Sequence, residues 1–368
     1  MPAERMDDYK RDIHWPTVLY YIHLHALGFY GAILLLTEAK WLTVFFTLFI
    51  ILIAGLGITL GAHRLWAHGA FEASGFVRGF LMVAHTLAGV GNIYDWVLAH
   101  RTHHKFYGTS RDPYNHKKGF WYSHLLSNVL STHPDKERMD KDIDMCDVDY
   151  DGYVWVQRWF YWLLFPVVGL LLPINAPAEY WGESIKNTVF ILGFFRLAVT
   201  TNFSWLVNSA MLIWGLKPGD KLIAIYDSLG LLYQLFFKMP KSHGMSVAST
   251  TTTTITTTTK NALSSRFPAD DNTIFLLNKS YWPNYHYLLP WDYKCGEFGN
   301  YDRGCSTFFI KMWENLGLVD SLKTASSESI RDALYRAASQ KLDVPEALES
   351  VKKIADEEAI KAKLRYHH

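Results

Sequence analysis

The chain has 368 residues, 49% of them apolar and 15% aromatic against 19% charged, a balance that excludes disorder as its main state and leans away from an ordinary soluble protein. Lysine plus arginine (36) and aspartate plus glutamate (35) leave a net charge of +1, so no global basic field exists to hold nucleic acid. Cys146, Cys295 and Cys305 show no Cys-x-x-Cys spacing, which excludes a disulfide framework and a thiolate zinc site and reads as a reduced, cytosol-facing chain.

Residues 1–16 are charged and carry no short apolar core with a small-residue cleavage site, so they read as a cytosolic segment ahead of an uncleaved anchor. Thr17 to Thr37 and Trp41 to Ala62 contain no Asp, Glu, Lys or Arg, and only Glu38, Ala39 and Lys40 separate them. About 20 uncharged residues cross a bilayer as a helix, so residues 17–62 read as a transmembrane hairpin. Residues 159–216 read as a second one: Trp159 to Ala178 is uncharged, Asn187 to Leu216 carries only Arg196, and a short connection with Glu179, Glu183 and Lys186 lies between. Paired runs of this length are rare inside soluble folds, which sets aside the alternative of buried helices in a large soluble protein.

Two hairpins place the N-terminus, residues 63–158 and everything after Lys217 on one face. Residues 63–158 hold 11 Lys or Arg, and positive charge marks the cytosolic side. Gly79 to Tyr94 reads as an amphipathic helix lying on the membrane surface, with a re-entrant helix as the alternative. Residues 217–282 form an atypical insert, in which Leu222 to Phe237 reads as a surface helix and Ser249 to Thr259, threonines broken by one Ser and one Ile, as a disordered linker. Residues 283–323 turn compact and aromatic, and 324–368 read as a charged, solvated helical tail.

The chemistry sits among the 16 histidines. His63 and His68 follow the second apolar run, and His100, His103 and His104 follow the third. Positions i, i+3 and i+4 share a helix face, so the last three can aim at a common centre. His63 and His68 lie five apart, about 140° around an ideal helix, and converge only where the helix is distorted or ends. Five imidazoles without nearby cysteine suit iron, copper or zinc and outnumber what one ion uses. Neither the Glu-x-x-His element of carboxylate di-iron bundles nor the His-Glu-x-x-His element of zinc proteases is present. His23 and His25 read as packing residues, and His85, His116, His124 and His133 as structural or peripheral.

These residues resemble the membrane-bound acyl-CoA delta-9 desaturases of the stearoyl-CoA type, from about Asp12 to Lys221 and from Asn284 to Lys323. The resemblance is carried by Gly61-Ala-His-Arg-Leu-Trp-Ala-His68, His100-Arg-Thr-His-His-Lys-Phe106, Arg111-Asp-Pro-Tyr-Asn115, Ile143-Asp-Met-Cys-Asp147, Trp181-Gly-Glu-Ser184, Trp205-Leu-Val-Asn-Ser-Ala210 and Pro290-Trp-Asp-Tyr293. It implies an all-α integral membrane fold, four transmembrane helices in two hairpins with a cytosolic helical cap holding a di-metal site. It also implies two iron ions, a fatty acyl-CoA in a narrow tunnel, O2, electrons from cytochrome b5 and its reductase, and the endoplasmic reticulum membrane. A methylene C–H offers no acidity to exploit, so an oxidant made at a redox metal is what the reaction requires.

Carried over residue by residue, the resemblance makes His63, His68, His100, His103, His104 and His286 ligands, and Asn208 a ligand through water. Trp96, Ser204 and Asn92 become substrate contacts. The chain departs from the pattern at Leu212, Pro283 and Tyr287, where the family carries histidine, and at Val90, Leu98 and Ala99, where it carries Gln, Arg and Asp. Lys279-Ser280-Tyr281 stands where the family has a Gly-Glu-Gly run, and the long stretch 222–282 reads as a translated intron or mis-assembled exon. The expectation is therefore an acyl-CoA desaturase; the alternative is a catalytically impaired relative that binds acyl-CoA or a desaturase partner.

Overall fold

The computed structural model describes residues 11–107, 109, 111–115, 118–209, 283–295, 301–302 and 304–366. The linker at 249–259, the helix at 222–237, the stretch read as a translated intron, Leu212 and His116 lie outside them. The chain divides into two compact units, residues 1–210 with 309–320, and residues 211–308 with 321–368.

Among the described residues of the first unit, four helices are long and apolar enough to cross a membrane: Trp15–Thr37, Trp41–Ala67, Gly152–Trp181 and Ile185–Ser209. Two boundaries differ from expectation for physical reasons. The second span runs past Ala62 to Ala67, because Gly57–Ala67 is wound as a π-helix and absorbs residues read as the start of the cap. The third begins at Gly152 rather than Trp159, since Asp151 caps it by accepting from Tyr153 N and Val154 N. Arg158 escapes the apolar run by lying 3.6 Å from the centroid of the Tyr94 ring.

Close helix approach in this unit depends on two glycines. A Cβ on Gly31 would lie 2.1 Å from Phe190 O in the fourth span, and one on Gly57 would lie 2.2 Å from His85 N, so any side chain would push the backbones apart. The run expected as one helix from Gly79 to Tyr94 is instead two, Gly75–Ala88 and Ile93–Phe106, bent by 85°. Gly89 and Gly91 make the elbow at φ 69° and 95°, conformations that favour residues without Cβ. Buried Gln157 braces it: Oε1 accepts from Ile93 N at 2.7 Å and Nε2 donates to Thr86 Oγ1 at 2.9 Å. A two-residue antiparallel ribbon, Glu72–Ala73 against Val319–Asp320, ties residues 309–320 to this unit.

The two hairpin connections are clamped together. Lys186 Nζ meets Glu38 Oε2 at 2.6 Å, and buried Glu183 accepts from Thr43 Oγ1, Lys40 N, Ser184 N and Asn187 Nδ2.

The second unit overturns the expectation of a solvated tail. Helices Ser327–Gln340 and Val344–Tyr366 pack a core of Ile330, Ala333, Leu334, Leu348 and Val351 with Tyr285, Leu289 and Trp291. Asp292 anchors it, accepting from Tyr285 OH at 2.5 Å and Tyr301 OH at 3.0 Å.

The Glu183 clamp has a pH signature. Burial alone would raise its carboxyl, but the hydrogen bonds from Thr43, Lys40, Ser184 and Asn187 outweigh that and hold it below the ordinary range. A depressed folded-state pKa contributes stability that is complete above the unfolded value of about 4.3 and is lost as pH falls through the folded one. Thermal unfolding of the detergent-solubilised protein should therefore show a midpoint that declines below about pH 4.3. Glu183→Gln should lower the midpoint at neutral pH and shallow that decline, whereas an unchanged slope in the variant would exclude the clamp.

Candidate metal centre

The π winding at the end of the second span resolves the spacing problem of its two histidines. His68 N donates to His63 O at 3.1 Å, an i to i+5 bond, so the wide turn stacks residues that an α-helix would set about 140° apart. The rings of His63 and His68 come to 4.7 Å between centroids, and His100, on the helix Ile93–Phe106, lies 4.8 and 4.9 Å from them. One ligand nitrogen from each of these three lies within 4.8 Å of the others.

Partner groups orient the rings. Nδ1 of buried His100 meets Asn208 Oδ1 at 2.8 Å. An amide oxygen only accepts, so Nδ1 carries the proton and Nε2 the lone pair. That Nε2 stands 2.9 Å from His68 Nε2. This is hydrogen-bond distance, and it also equals the roughly 3.0 Å between two nitrogens held about 2.1 Å from one ion at right angles, so the pair fits a shared metal without rearrangement. The donor set, neutral imidazole, suits iron, copper or zinc. Asn208 thus acts behind His100.

His104 stands beside the group, with its ring 4.6 Å from His68 and 4.7 Å from His100. His103 is turned away, 6.1 Å from His100, and its Nδ1 bonds Asp112 Oδ1 at 2.7 Å with both side chains fully buried. Helical spacing therefore brings His100 and His104 together and sends His103 to a separate direction. His286 lies half-buried on the short helix Pro283–Leu288 of the second unit. Tyr287, beside it, is half-buried with its ring 5.9 Å from that of His286.

Trp96 stacks on His100 at 5.2 Å and 17° and donates from Nε1 to Ser204 Oγ at 2.9 Å, which joins two expected substrate contacts to the histidine cluster. Asn92, the third, lies at the start of the helix Ile93–Phe106. Its side chain caps the helix Ile93–Phe106, accepting from Asp95 N and donating to Asp95 Oδ2, both at 2.8 Å. His23 and His25 bond backbone oxygens of their own helix, and His124 Nδ1 meets Ser209 Oγ at 2.8 Å. His85, read as structural or peripheral, is fully buried, 3.4 Å from Gln157 Nε2.

Two contributors escaped sequence reasoning. Arg101 donates to Ala67 O at 3.0 Å and Trp66 O at 2.7 Å while pairing with Asp147, so it staples the helix end bearing His63 and His68 to the helix bearing His100. Asp112 holds the proton of His103 Nδ1 and thereby sets its tautomer. Burial first, then the Asp112 charge, pushes the nearby Tyr107 phenol up to about 12, which keeps it protonated beside that carboxylate. The motif Arg111-Asp-Pro-Tyr-Asn115 was visible, but nothing in its spacing assigned Asp112 to a particular imidazole.

No family model matches the chain. It is 36% identical over 330 residues to an acyl-CoA Delta-9 desaturase of Acheta domesticus, covering 90% of this chain and 80% of that one. It is 34% identical to an acyl-CoA Delta-12 desaturase of Tribolium castaneum, with 91% and 82% covered. With the stearoyl-CoA desaturase of Homo sapiens it shares 31% identity, with 89% and 79% covered.

Outer partners of ligating histidines carry about 10- to 100-fold in metal affinity or activity. Asn208→Ala, which removes the partner of His100 Nδ1, should lower retained metal by that order when the protein is dialysed against a chelator and its metal content measured. Metal retention equal to the unaltered protein would remove Asn208 from the site.

Proposed function

The chain belongs to the acyl-CoA desaturase family, and from that premise we propose that it inserts a cis double bond at the delta-9 position of a saturated fatty acyl-CoA in the endoplasmic reticulum membrane. Two iron ions, O2 and electrons delivered by cytochrome b5 and its reductase complete the reading. The single observation that supports it most is the meeting of His68 and His100 nitrogens at 2.9 Å beneath the Trp96 ring. Relatives named for different bond positions match at similar identity, so delta-9 rests on the motif resemblance alone.

His63, His68 and His100 would hold one ion, and His103, His104 and His286 are further ligands on resemblance alone. When bound, such a centre supplies the oxidising power with which O2 removes hydrogen from two adjacent methylenes. The protein's own residues do the rest. Asn208 and Asp112 keep the proton on the outer nitrogens of His100 and His103. Trp96, fixed by Ser204, is a flat apolar wall beside the cluster, suited to a hydrocarbon and to excluding water. A cleft of about 120 Å³ lined by Arg11, Arg111, Lys118 and Lys136, with Asp112 and Asp140, offers cationic groups for the phosphates of coenzyme A. Leu98 and Ala99 leave this recognition to those cations.

The absence of imidazole at Leu212, Pro283 and Tyr287 favours a second reading, a family member with impaired turnover that still binds acyl-CoA. Expression in yeast lacking its own desaturase, followed by fatty-acid profiling, separates the two. The first reading predicts delta-9 monoenes that disappear with His63→Ala, a loss beyond the about 100-fold that outer partners account for. Folded protein that makes no monoene, but does so after Leu212→His, Pro283→His and Tyr287→His together, would establish the second.

A further inference from the structure

The cationic cleft shares Arg11, Lys118 and Tyr122 with a second, larger cavity. This is an open groove of about 780 Å³ between the start of the first span and the segment 118–130, walled by Val18, Ile22, Leu125, Leu126 and Val129. Its rim exposes large apolar side chains, Trp15 at 63% and Ile22 at 58%. On a helix that crosses a bilayer these face hydrocarbon, and Trp15 with Tyr122 sits where amphipathic rings mark the interface.

Two details specify what the groove takes. The imidazole in its floor is already satisfied: His25 Nδ1 donates to Tyr21 O and its Nε2 accepts from Asn202 Nδ2, both at 2.8 Å. An apolar chain can therefore lie over His25 without stranding its ring nitrogens. Its mouth is cationic. The Arg11 guanidinium is held rigidly by the carbonyls of Ser131, Pro113 and Ser127 at 2.6, 2.9 and 3.2 Å, and among the described residues it is paired with no carboxylate. Exposed Lys118 lies over the Tyr122 ring at 4.8 Å. An apolar trough ending at fixed positive charge complements an anionic amphiphile, and a groove open toward the lipid-facing side of a span is filled from the bilayer.

We propose that this groove is a binding site for an anionic phospholipid of the cytosolic leaflet, with one acyl chain along Val18, Ile22 and Leu126 and the phosphate at Arg11 and Lys118. The site lies beyond the desaturase reading and uses none of the proposed metal ligands. It shares Arg11 and Lys118 with the cleft offered to coenzyme A, but lipid retention is measured without turnover, so its failure is distinguishable from failure of the desaturase reading.

The test is native mass spectrometry of the full-length protein in detergent, offered equal amounts of dioleoyl-phosphatidylserine and dioleoyl-phosphatidylcholine. A basic group near an anionic headgroup contributes about 5-fold in affinity. The serine lipid should be retained in preference, Lys118→Gln should reduce that preference about 5-fold, and Leu126→Trp should reduce retention by filling the groove. Equal retention of the two lipids would overturn the proposal, as would a preference unaffected by Lys118→Gln. Should Leu126→Trp fail to fold, the exposed Lys118→Gln still decides the matter.

Discussion

One wide helical turn governs the arrangement of the histidines. Because Gly57–Ala67 is wound with i to i+5 bonds, His63 and His68 project toward the same point, and His100 meets them there. Regular α winding would separate the pair and leave three imidazoles with no common centre. π turns cost hydrogen-bond geometry and are found mainly where function repays them. Here the turn lies at the end of an apolar span, where the neighbouring Gly57 lets the helix press against His85.

The surrounding structure holds that turn against relaxation. Arg101 caps its last carbonyls, at Trp66 and Ala67, from the helix bearing His100. Trp66 Nε1 and Arg78 both donate to Asp151, the residue that also caps the third span. The elbow of Gly89 and Gly91, braced by Gln157, aims the helix Ile93–Phe106 so that Trp96 and His100 stack. The clustered imidazoles and the spans are thereby connected by charged hydrogen bonds, which position side chains more firmly than apolar packing does.

The four spans were legible in the sequence because a long uncharged run has few alternatives in a folded chain. Their ends were less legible, since a charge-based boundary cannot foresee that Arg158 leans onto Tyr94 or that a π turn carries the second span to Ala67. Residues 324–368 looked solvated because charges are dense, yet Ile330, Ala333, Leu334 and Ala337 recur at i, i+3, i+4 and i+7, the stripe of a core-facing helix. That signal was present and outweighed. In the metal centre, helical spacing placed His100 with His104 but could not separate off His103, whose direction is set by Asp112 in an irregular loop. Asn208 bonds the His100 ring and Asn92 caps a helix, roles that a match of motif positions does not by itself reveal.

The central claim is that the imidazoles of His63, His68 and His100 converge on a redox metal. X-ray absorption at the iron edge on purified, iron-supplemented protein tests it most directly, because the scattering reports the first coordination sphere without requiring turnover. The account predicts iron bound by several imidazole nitrogens, with the signal from those ligands diminished in His68→Ala. Iron bound only by oxygen, or a spectrum indifferent to His68→Ala, would contradict it.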